Sequence, residues 1–396
     1  MKKPAMPAGW LSAKRNLAKI NLINKKIAKI IAGSLALYIL SAGLSYMVFN
    51  RILQKPINFN TPFGSLADLT SGDEEGTKDR PCPLNGAKYT KNREETWNKR
   101  RPLGVMVENH TDARPVIGLS RADVIYEAVA EGGITRFLTV FLCQDAGDIA
   151  PVRSARTYFL DWVLEYNALY AHVGGANTPG PANALGQIRD YGIMDMDQFG
   201  LGFPTYWRGT DRLAPHNVHS TTKKLWEAAE ERNFGSEDED GKRWDDNFTK
   251  WIFKDDASLE SRGNQKDIAV PFWDQYSDYT VSWKYDKEAN VFRRYHGQEA
   301  QIDPLTKEHL SAKNVIVQFQ TEKRANDGYP DGHLLYTTVG SGNALIFQDG
   351  KVTSGKWVKG SRTERTKFLD SKGKEIELVR GLVWIETVPV GVDVAY

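Results

Sequence analysis

Twenty consecutive uncharged residues near the N-terminus constrain this chain more than any other feature. The run extends from Ile30 to Phe49. At the rise of an α-helix it spans about 30 Å, which matches the hydrocarbon thickness of a bilayer. Eight basic residues and no acidic residue precede it, so residues 1–29 are expected to stay in the cytoplasm. We therefore predict a single transmembrane helix over residues 30–49, with everything after it extracytoplasmic.

A cleavable signal peptide is the alternative to this membrane anchor. The basic region is long, the apolar run exceeds a usual signal core, and no A-x-A cleavage site follows it. No cysteine occurs before Cys82, which excludes a lipidated cysteine beside the apolar run. An uncleaved anchor is the better interpretation, and attachment to the cell membrane is predicted through residues 30–49.

The formal net charge of +2 hides an asymmetry between the two ends of the chain. Residues 1–55 hold ten basic residues and no acid, which leaves 42 basic against 50 acidic residues beyond them. A net acidic outer portion repels polyanions, so nucleic acid is not expected as its partner. Cys82 and Cys143 could form a disulfide in an oxidising compartment, but Cys82 lies in an apparent linker, and their pairing stays open.

Composition divides the outer portion into four regions. Residues 50–100 are rich in Pro, Gly, Ser and charge, and are predicted to be a linker. Residues 101–232 read as strands interleaved with helices, which indicates a mixed α/β N-terminal domain. Residues 233–266 form a charged linker or excursion, and residues 267–396 carry short strand-like runs, typical of a smaller, mostly β C-terminal domain. The predicted fold class is α+β with an N-terminal transmembrane helix.

The first domain shows the clearest individual elements. Its strand-like segments are PLGVMVEN, ADVIYEAVAEG and TRFLTVFLCQ. Apolar residues at helical spacing predict a helix within Thr157–Tyr170, a second over Ala182–Arg189, and a third with Ser220 as its N-cap.

Polar residues cluster at the predicted strand ends and helix starts of this domain. In open sheets such positions bind ligands, because side chains converge there and helix N–H groups face anions. Arginine suits a phosphate or carboxylate, since its guanidinium group donates two parallel hydrogen bonds. We therefore predict an anion-binding site. Its candidate residues are Glu108, Asn109, Arg121, Asp123, Glu127, Glu131, Arg136, Arg153 and Arg156. Alternatively, these residues form internal ion pairs that only fix loops.

A Gly- and Pro-containing loop, WRGTDRLAPHNVHS, adds Arg212, His216 and Asn217 to the candidate ligand-binding set. The His216–His219 spacing lacks the cysteine or carboxylate of a defined zinc pattern, so no metal site is predicted and His219 is expected to hold the loop. Nucleotide-binding and hydrolase motifs are missing from the sequence. No cofactor or catalytic residue is identified.

Several of these strings resemble the YerB-like family, bacterial envelope proteins of undetermined function that are usually described as lipoproteins. The resemblance rests on EGGITRF, PVRSAR and APHN, with GKVTSGKWVKG and GLVWIETVPV further on, and covers about residues 83–390. It implies an α+β N-terminal domain followed by a smaller β-rich one. The lipidated cysteine usual in that family is missing here.

The order of elements also resembles the LytR-CpsA-Psr phosphotransferases, which move glycopolymers from polyprenyl pyrophosphate. That likeness would imply that Arg121, Arg136, Arg153 and Arg156 grip pyrophosphate and that Asp123 helps to hold Mg²⁺. Three hypotheses therefore stand: an envelope module that binds an anionic ligand or a protein partner through its N-terminal domain, a phosphotransferase, and a non-catalytic structural interaction protein.

Overall fold

The computed structural model describes residues 76–273, 276–330 and 332–396, together with Lys29 and Ser41. Apart from those two positions, the predicted cytoplasmic segment and the predicted transmembrane helix lie outside the described residues. Among the residues that are described, no helix is long and apolar enough to cross a membrane. The transmembrane helix of the predicted fold class therefore finds no support in the structure.

Five short α-helices occur in the described part of the chain, and the longest has ten residues. They are α1 (Lys91–Trp97), α2 (Thr157–Leu164), α3 (Ala184–Asp190), α4 (Gln198–Leu201) and α5 (Thr222–Glu231). Single 3-10 turns cover Thr111–Ala113, Leu119–Arg121, Leu259–Ser261 and Ser277–Tyr279.

Strands are far more numerous than helices. The first nine are β1 (Arg80–Pro81), β2 (Lys88–Tyr89), β3 (Leu103–Glu108), β4 (Val124–Glu131), β5 (Ile134–Phe141), β6 (Leu169–His172), β7 (Met194–Asp197), β8 (Trp207–Arg208) and β9 (Val218–His219). The remainder are β10 (Phe253–Lys254), β11 (Ile268–Val270), β12 (Val281–Asp286), β13 (Val291–His296), β14 (Glu299–Ala300), β15 (Ser311–Ala312), β16 (Asn314–Gln320), β17 (Glu322–Arg324), β18 (Leu334–Tyr336), β19 (Gly340–Gln348), β20 (Lys351–Lys359), β21 (Lys367–Leu369), β22 (Leu378–Val379) and β23 (Val383–Pro389).

A ten-stranded mixed sheet organises the molecule, in the order β21-β20-β19-β16-β23-β4-β5-β3-β6-β7. Strand β23 runs parallel to β16 on one side and to β4 on the other. The central strands of this sheet, β3, β4 and β5, are buried on both faces, which explains their nearly continuous apolar sequences. The sheet thus takes strands from both regions that the sequence suggested as separate domains, and the described residues from Gly76 onward belong to one compact unit.

A second, smaller sheet has the order β11-β12-β13-β14, with β15 also pairing with β13. Two-stranded pairs complete the fold: β1 with β2, β8 with β9, β10 with β22, and β17 with β18. Buried side chains from all of these parts join one hydrophobic core.

The predicted α+β class is wrong, because the protein is mostly β. The three predicted helices do form, as α2, α3 and α5, although the N-cap of α5 is Thr221 and not the predicted Ser220. The N-terminal region is nevertheless not a mixed α/β domain, since its helices are only short covers on the sheet. The helical spacing over Thr157–Tyr170 breaks after Leu164, and Leu169–His172 becomes strand β6, parallel to β3 and β7. A local periodicity identifies an element but not how far it extends.

The described part of the predicted 50–100 linker is also structured. It contains β1, β2 and α1. Leu84 and Trp97 are buried in the core, and a disulfide joins Cys82 to Cys143, with their Cα atoms 6.0 Å apart. The two cysteines are separated by 61 residues in sequence. Their disulfide attaches a Pro- and Gly-rich segment whose sequence shows no apolar periodicity.

Candidate functional site

Three arginines and two glutamates meet where β3 ends and β5 begins, and we call this group the arginine cluster. Glu108, the last residue of β3, lies opposite Arg136 of β5 in the antiparallel register. Arg153 donates from Nε to Glu108 Oε1 at 3.0 Å. Glu131 accepts from Arg136 Nη2 at 3.2 Å and forms a close ion pair with Arg156, the N-cap of α2. The cluster thus joins five of the predicted site residues.

The arginine cluster carries an excess of positive charge. Its three guanidinium groups face the two carboxylates of Glu108 and Glu131. Burial, with the neighbouring charge of Arg156, lowers the pKa of Arg136 to about 10. Arg136 donates from Nη1 to the Ser154 carbonyl oxygen at 3.0 Å, but its Nε is buried and has no acceptor among the described residues. One side of the cluster is therefore short of an acceptor.

Two histidines form the rim of this cluster. His216 Nδ1 lies 3.0 Å from Glu108 Oε2. Its ring stacks on that of His110, with centroids 4.8 Å apart and planes inclined by 22°. Both rings are partly exposed. Arg153 also keeps 23% of its side-chain surface accessible, so this rim is the solvent-facing side of the arginine cluster.

Asn109 and Glu127 belong to a different, fully buried group. Glu127 accepts from Asn109 Nδ2 at 3.2 Å and from Thr135 Oγ1 at 2.6 Å. It also pairs with Arg294 of β13 at 2.5 Å. Beside it in the sheet register is Glu386 of β23, and burial together with the Glu127 charge raises the pKa of Glu386 well above its usual range. No side chain here reaches solvent, so this group braces the two sheets.

Asp123 does not join the arginine cluster either. Its Oδ2 accepts from the backbone N–H groups of Leu142 and Cys143 at 2.7 and 2.8 Å, and its Oδ1 accepts from Asn85 Nδ2 at 3.1 Å. It is completely buried beside Cys82, and burial raises its pKa to about 6. A carboxylate enclosed in this way has no free face for a bound Mg²⁺.

The remaining predicted residues lie on loops. Arg121, at the end of a 3-10 turn, makes no side-chain hydrogen bond or ion pair with any described residue. Arg212 donates to the Ala113 carbonyl oxygen and pairs with Asp211 at 3.0 Å. Asn217 accepts from Arg208 Nη1 at 2.8 Å and donates to the Gly209 carbonyl oxygen. Arg212 and Asn217 thus hold the loop that carries His216.

Comparison with known proteins agrees with this architecture. Residues 89–235 match the model of the "Protein of unknown function (DUF3048) N-terminal domain", and residues 268–385 match the corresponding C-terminal domain. The chain belongs to the DUF3048 family. It is 29% identical over 311 residues to "Putative lipoprotein YerB" of Bacillus subtilis (strain 168), covering 78% of this chain and 86% of that relative. The resemblance seen in the sequence is thereby confirmed.

A solved structure from Bacillus subtilis shares the fold. The crystal structure of the YerB protein from Bacillus subtilis superposes with a TM-score of 0.66 at 26% sequence identity. The match covers 80% of this chain and 99% of the YerB chain.

Sequence reasoning missed two groups of residues in this DUF3048 chain. Arg294 pairs with Glu127 from 167 positions away, and nothing local in NVFRRYHG marks that arginine as buried. The contact between His110 and His216 joins two loops about a hundred positions apart, and no local sequence pattern links them. His219 instead lies between Asp148 and Asp211, at 2.9 and 3.2 Å.

Proposed function

We propose that this DUF3048 protein is a membrane-associated envelope protein that acts outside the cytoplasm and binds an anionic group at its arginine cluster. Its similarity to a relative described as a lipoprotein supports the location. The Cys82–Cys143 disulfide supports it independently, because disulfides persist in oxidising compartments. Single-pass attachment through residues 30–49 remains a prediction of the sequence alone.

A topology reporter tests the location. An alkaline phosphatase fused after Tyr396 is expected to be active, because that enzyme matures only outside the cytoplasm, where disulfides form. A fluorescent protein that matures only in the cytoplasm, fused at the same position, serves as the reciprocal control. An inactive phosphatase with a bright fluorescent fusion would contradict the extracytoplasmic location.

The observation that carries the anion proposal is the excess positive charge of the arginine cluster, which Arg153 presents at the solvent-facing rim. A buried guanidinium N–H without an acceptor costs free energy, as does the uncompensated charge beside it. A phosphate or carboxylate held by Arg153 at the solvent-facing rim would supply the missing negative charge. Arg153 is the residue that an incoming anion would contact first. Only its Nε donates to Glu108, and part of its side-chain surface is accessible to solvent.

Binding measurements with the full chain in detergent test this proposal. Calorimetric titration would compare inorganic phosphate, polyprenyl pyrophosphate and wall glycopolymer, each with and without Mg²⁺. The Arg153→Ala variant is expected to raise the dissociation constant about 10- to 100-fold, the equivalent of one charge-assisted hydrogen bond or pair. Arg293→Ala is the matched control, because Arg293 pairs with Asp286 on another sheet. Equal binding by the Arg153 and Arg293 variants would contradict an anion site.

The two other hypotheses give different results in the same experiment. If the arginines only brace loops, Arg153→Ala lowers the unfolding midpoint while no anion binds to the unchanged protein. A phosphotransferase would release a product in the presence of Mg²⁺. We expect no such product, because Asp123, the carboxylate that the phosphotransferase analogy requires, is enclosed by backbone donors.

A protein partner is a second candidate, favoured by one observation. The three most exposed large apolar side chains among the described residues all lie in one stretch, with 76% exposure for Phe199, 84% for Phe203 and 86% for Leu213. Exposed aromatic residues with neighbouring arginines are typical of protein interfaces. A crosslinking group placed at position 203 should yield a discrete protein adduct in cells. The Phe199→Ser/Leu213→Ser double variant should lose that adduct. Crosslinks to lipid alone would argue against this candidate.

A further inference from the structure

We infer that His110, Asp112 and His216 form a binding site for a divalent transition-metal ion of the Zn²⁺ type at the rim of the arginine cluster. One ligand atom from each of these three side chains lies within 4.8 Å of the others. They come from two loops about a hundred residues apart in sequence, so only the tertiary structure brings them together.

One of the three ligand–ligand distances is close to that around a coordinated ion. His110 Nδ1 and Asp112 Oδ2 are 3.7 Å apart. Two atoms that bind one Zn²⁺ ion at about 2.1 Å, in a tetrahedral arrangement, are separated by about 3.4 Å. Asp112 is exposed, with 72% of its side chain accessible, so its carboxylate is free to close the remaining gap. An ion at His110 Nδ1 would replace the hydrogen bond that this nitrogen now accepts from the Asp112 backbone N–H, and it would require the His110 ring to rotate out of its stacked position on His216.

The surroundings of His216 supply an independent argument for metal binding. Its Nδ1 faces Glu108 Oε2 at 3.0 Å, which leaves Nε2 for an ion. A carboxylate that accepts from the second nitrogen of a metal-binding histidine fixes the ring and makes it a better ligand. Glu108 is itself 4% exposed and held by Arg153. A buried, oriented carboxylate behind a partly exposed histidine is the arrangement that such sites use.

The donor set also indicates which cation would bind. Two imidazoles and one carboxylate are typical ligands of Zn²⁺ and its neighbours, whereas Ca²⁺ and Mg²⁺ prefer oxygen ligands throughout. Three protein ligands on a solvent-facing rim leave one coordination position for water or another molecule. His219, three residues after His216, is not a ligand of this site, because two aspartates hold its ring elsewhere.

Cobalt titration of the full chain tests this inference. Co²⁺ reports tetrahedral nitrogen and oxygen coordination by intense visible absorption bands, and Zn²⁺ should displace it at one ion per chain. Loss of one ligand, in His110→Ala or His216→Ala, is expected to weaken binding by more than about 100-fold, because loss of a supporting carboxylate alone weakens it 10- to 100-fold. Glu108→Gln should show that smaller effect.

His309→Ala is the matched control, because His309 is partly exposed and lies on the smaller sheet's side of the molecule, where it contacts Arg294. It should bind Co²⁺ like the unchanged protein. Near-ultraviolet circular dichroism without metal would establish that each variant is folded. The inference is overturned if the full chain binds no Co²⁺, or if folded His110→Ala and His216→Ala variants bind it as tightly as His309→Ala.

Discussion

Single buried carboxylates determine how well loops are held to the central sheet, and Asp123 is the clearest example. Replacement by alanine would leave the N–H groups of Leu142 and Cys143 and the amide of Asn85 without their acceptor. We expect Asp123→Ala to lower the free energy of unfolding by about 2–4 kcal/mol, measured by urea unfolding with the disulfide intact. Asp393→Ala, at an exposed position, should change it by less than about 0.5 kcal/mol.

His219 should make the stability of its loop depend on pH. Burial opposes its charge, but the hydrogen bonds and charges of Asp148 and Asp211 outweigh burial and raise its pKa. Because the folded pKa lies above the unfolded one, this contribution is fully present below about pH 6.5 and is lost as pH rises through the folded pKa.

The test compares melting temperatures of the unchanged protein and His219→Gln across that range. Glutamine does not titrate, so the stability advantage of the unchanged protein should shrink as pH rises. Parallel melting curves at every pH would show that His219 does not carry a stabilising proton.

The disulfide is the covalent attachment of the β1–β2 and α1 segment to the loop after β5, where Arg93 and Arg100 also form ion pairs with Asp145. It closes a loop with a sequence separation of 61 residues. Loop-closure entropy for that length corresponds to about 4 kcal/mol. The Cys82→Ser/Cys143→Ser double variant should therefore unfold at a markedly lower denaturant concentration, and the added reductant dithiothreitol should lower the midpoint of the unchanged protein by a similar amount. A reductant-insensitive midpoint would mean that burial of Leu84 and Trp97 suffices.

For the whole molecule, the shared sheet makes the two halves depend on each other. Strand β4 pairs with β23. Glu165, just after α2, pairs with both Lys359 and Arg365 at 3.1 Å, and all three side chains are buried. A fragment of residues 76–250 would expose an apolar strand edge and leave Glu165 without its cations.

We therefore expect that fragment to aggregate or to lack near-ultraviolet dichroism, whereas residues 76–396 fold. Co-expression of residues 76–250 with residues 251–396 should restore a soluble complex that co-elutes in size-exclusion chromatography. A monomeric, folded 76–250 fragment would show that the N-terminal part is an independent domain.

Local patterns in the amino-acid sequence were sufficient to predict the secondary-structure elements, the family and the residue types of the candidate site. The strands at PLGVMVEN, ADVIYEAVAEG and TRFLTVFLCQ are β3, β4 and β5, and the apolar spacing after Thr157 is α2. Such patterns depend on residues a few positions apart, so they can be recognised without knowing which distant segment packs against them.

Which charged side chains meet depends on the packing of distant segments in the folded protein. It divided the predicted site into the arginine cluster, the Glu127–Arg294 group and the enclosed Asp123, and it brought His110 to His216. It also placed β23 between β4 and β16, so that one sheet takes strands from both halves of the chain. Strand order and ion-pair choice are set by contacts between segments far apart in the chain, and local periodicity carries no information about those contacts.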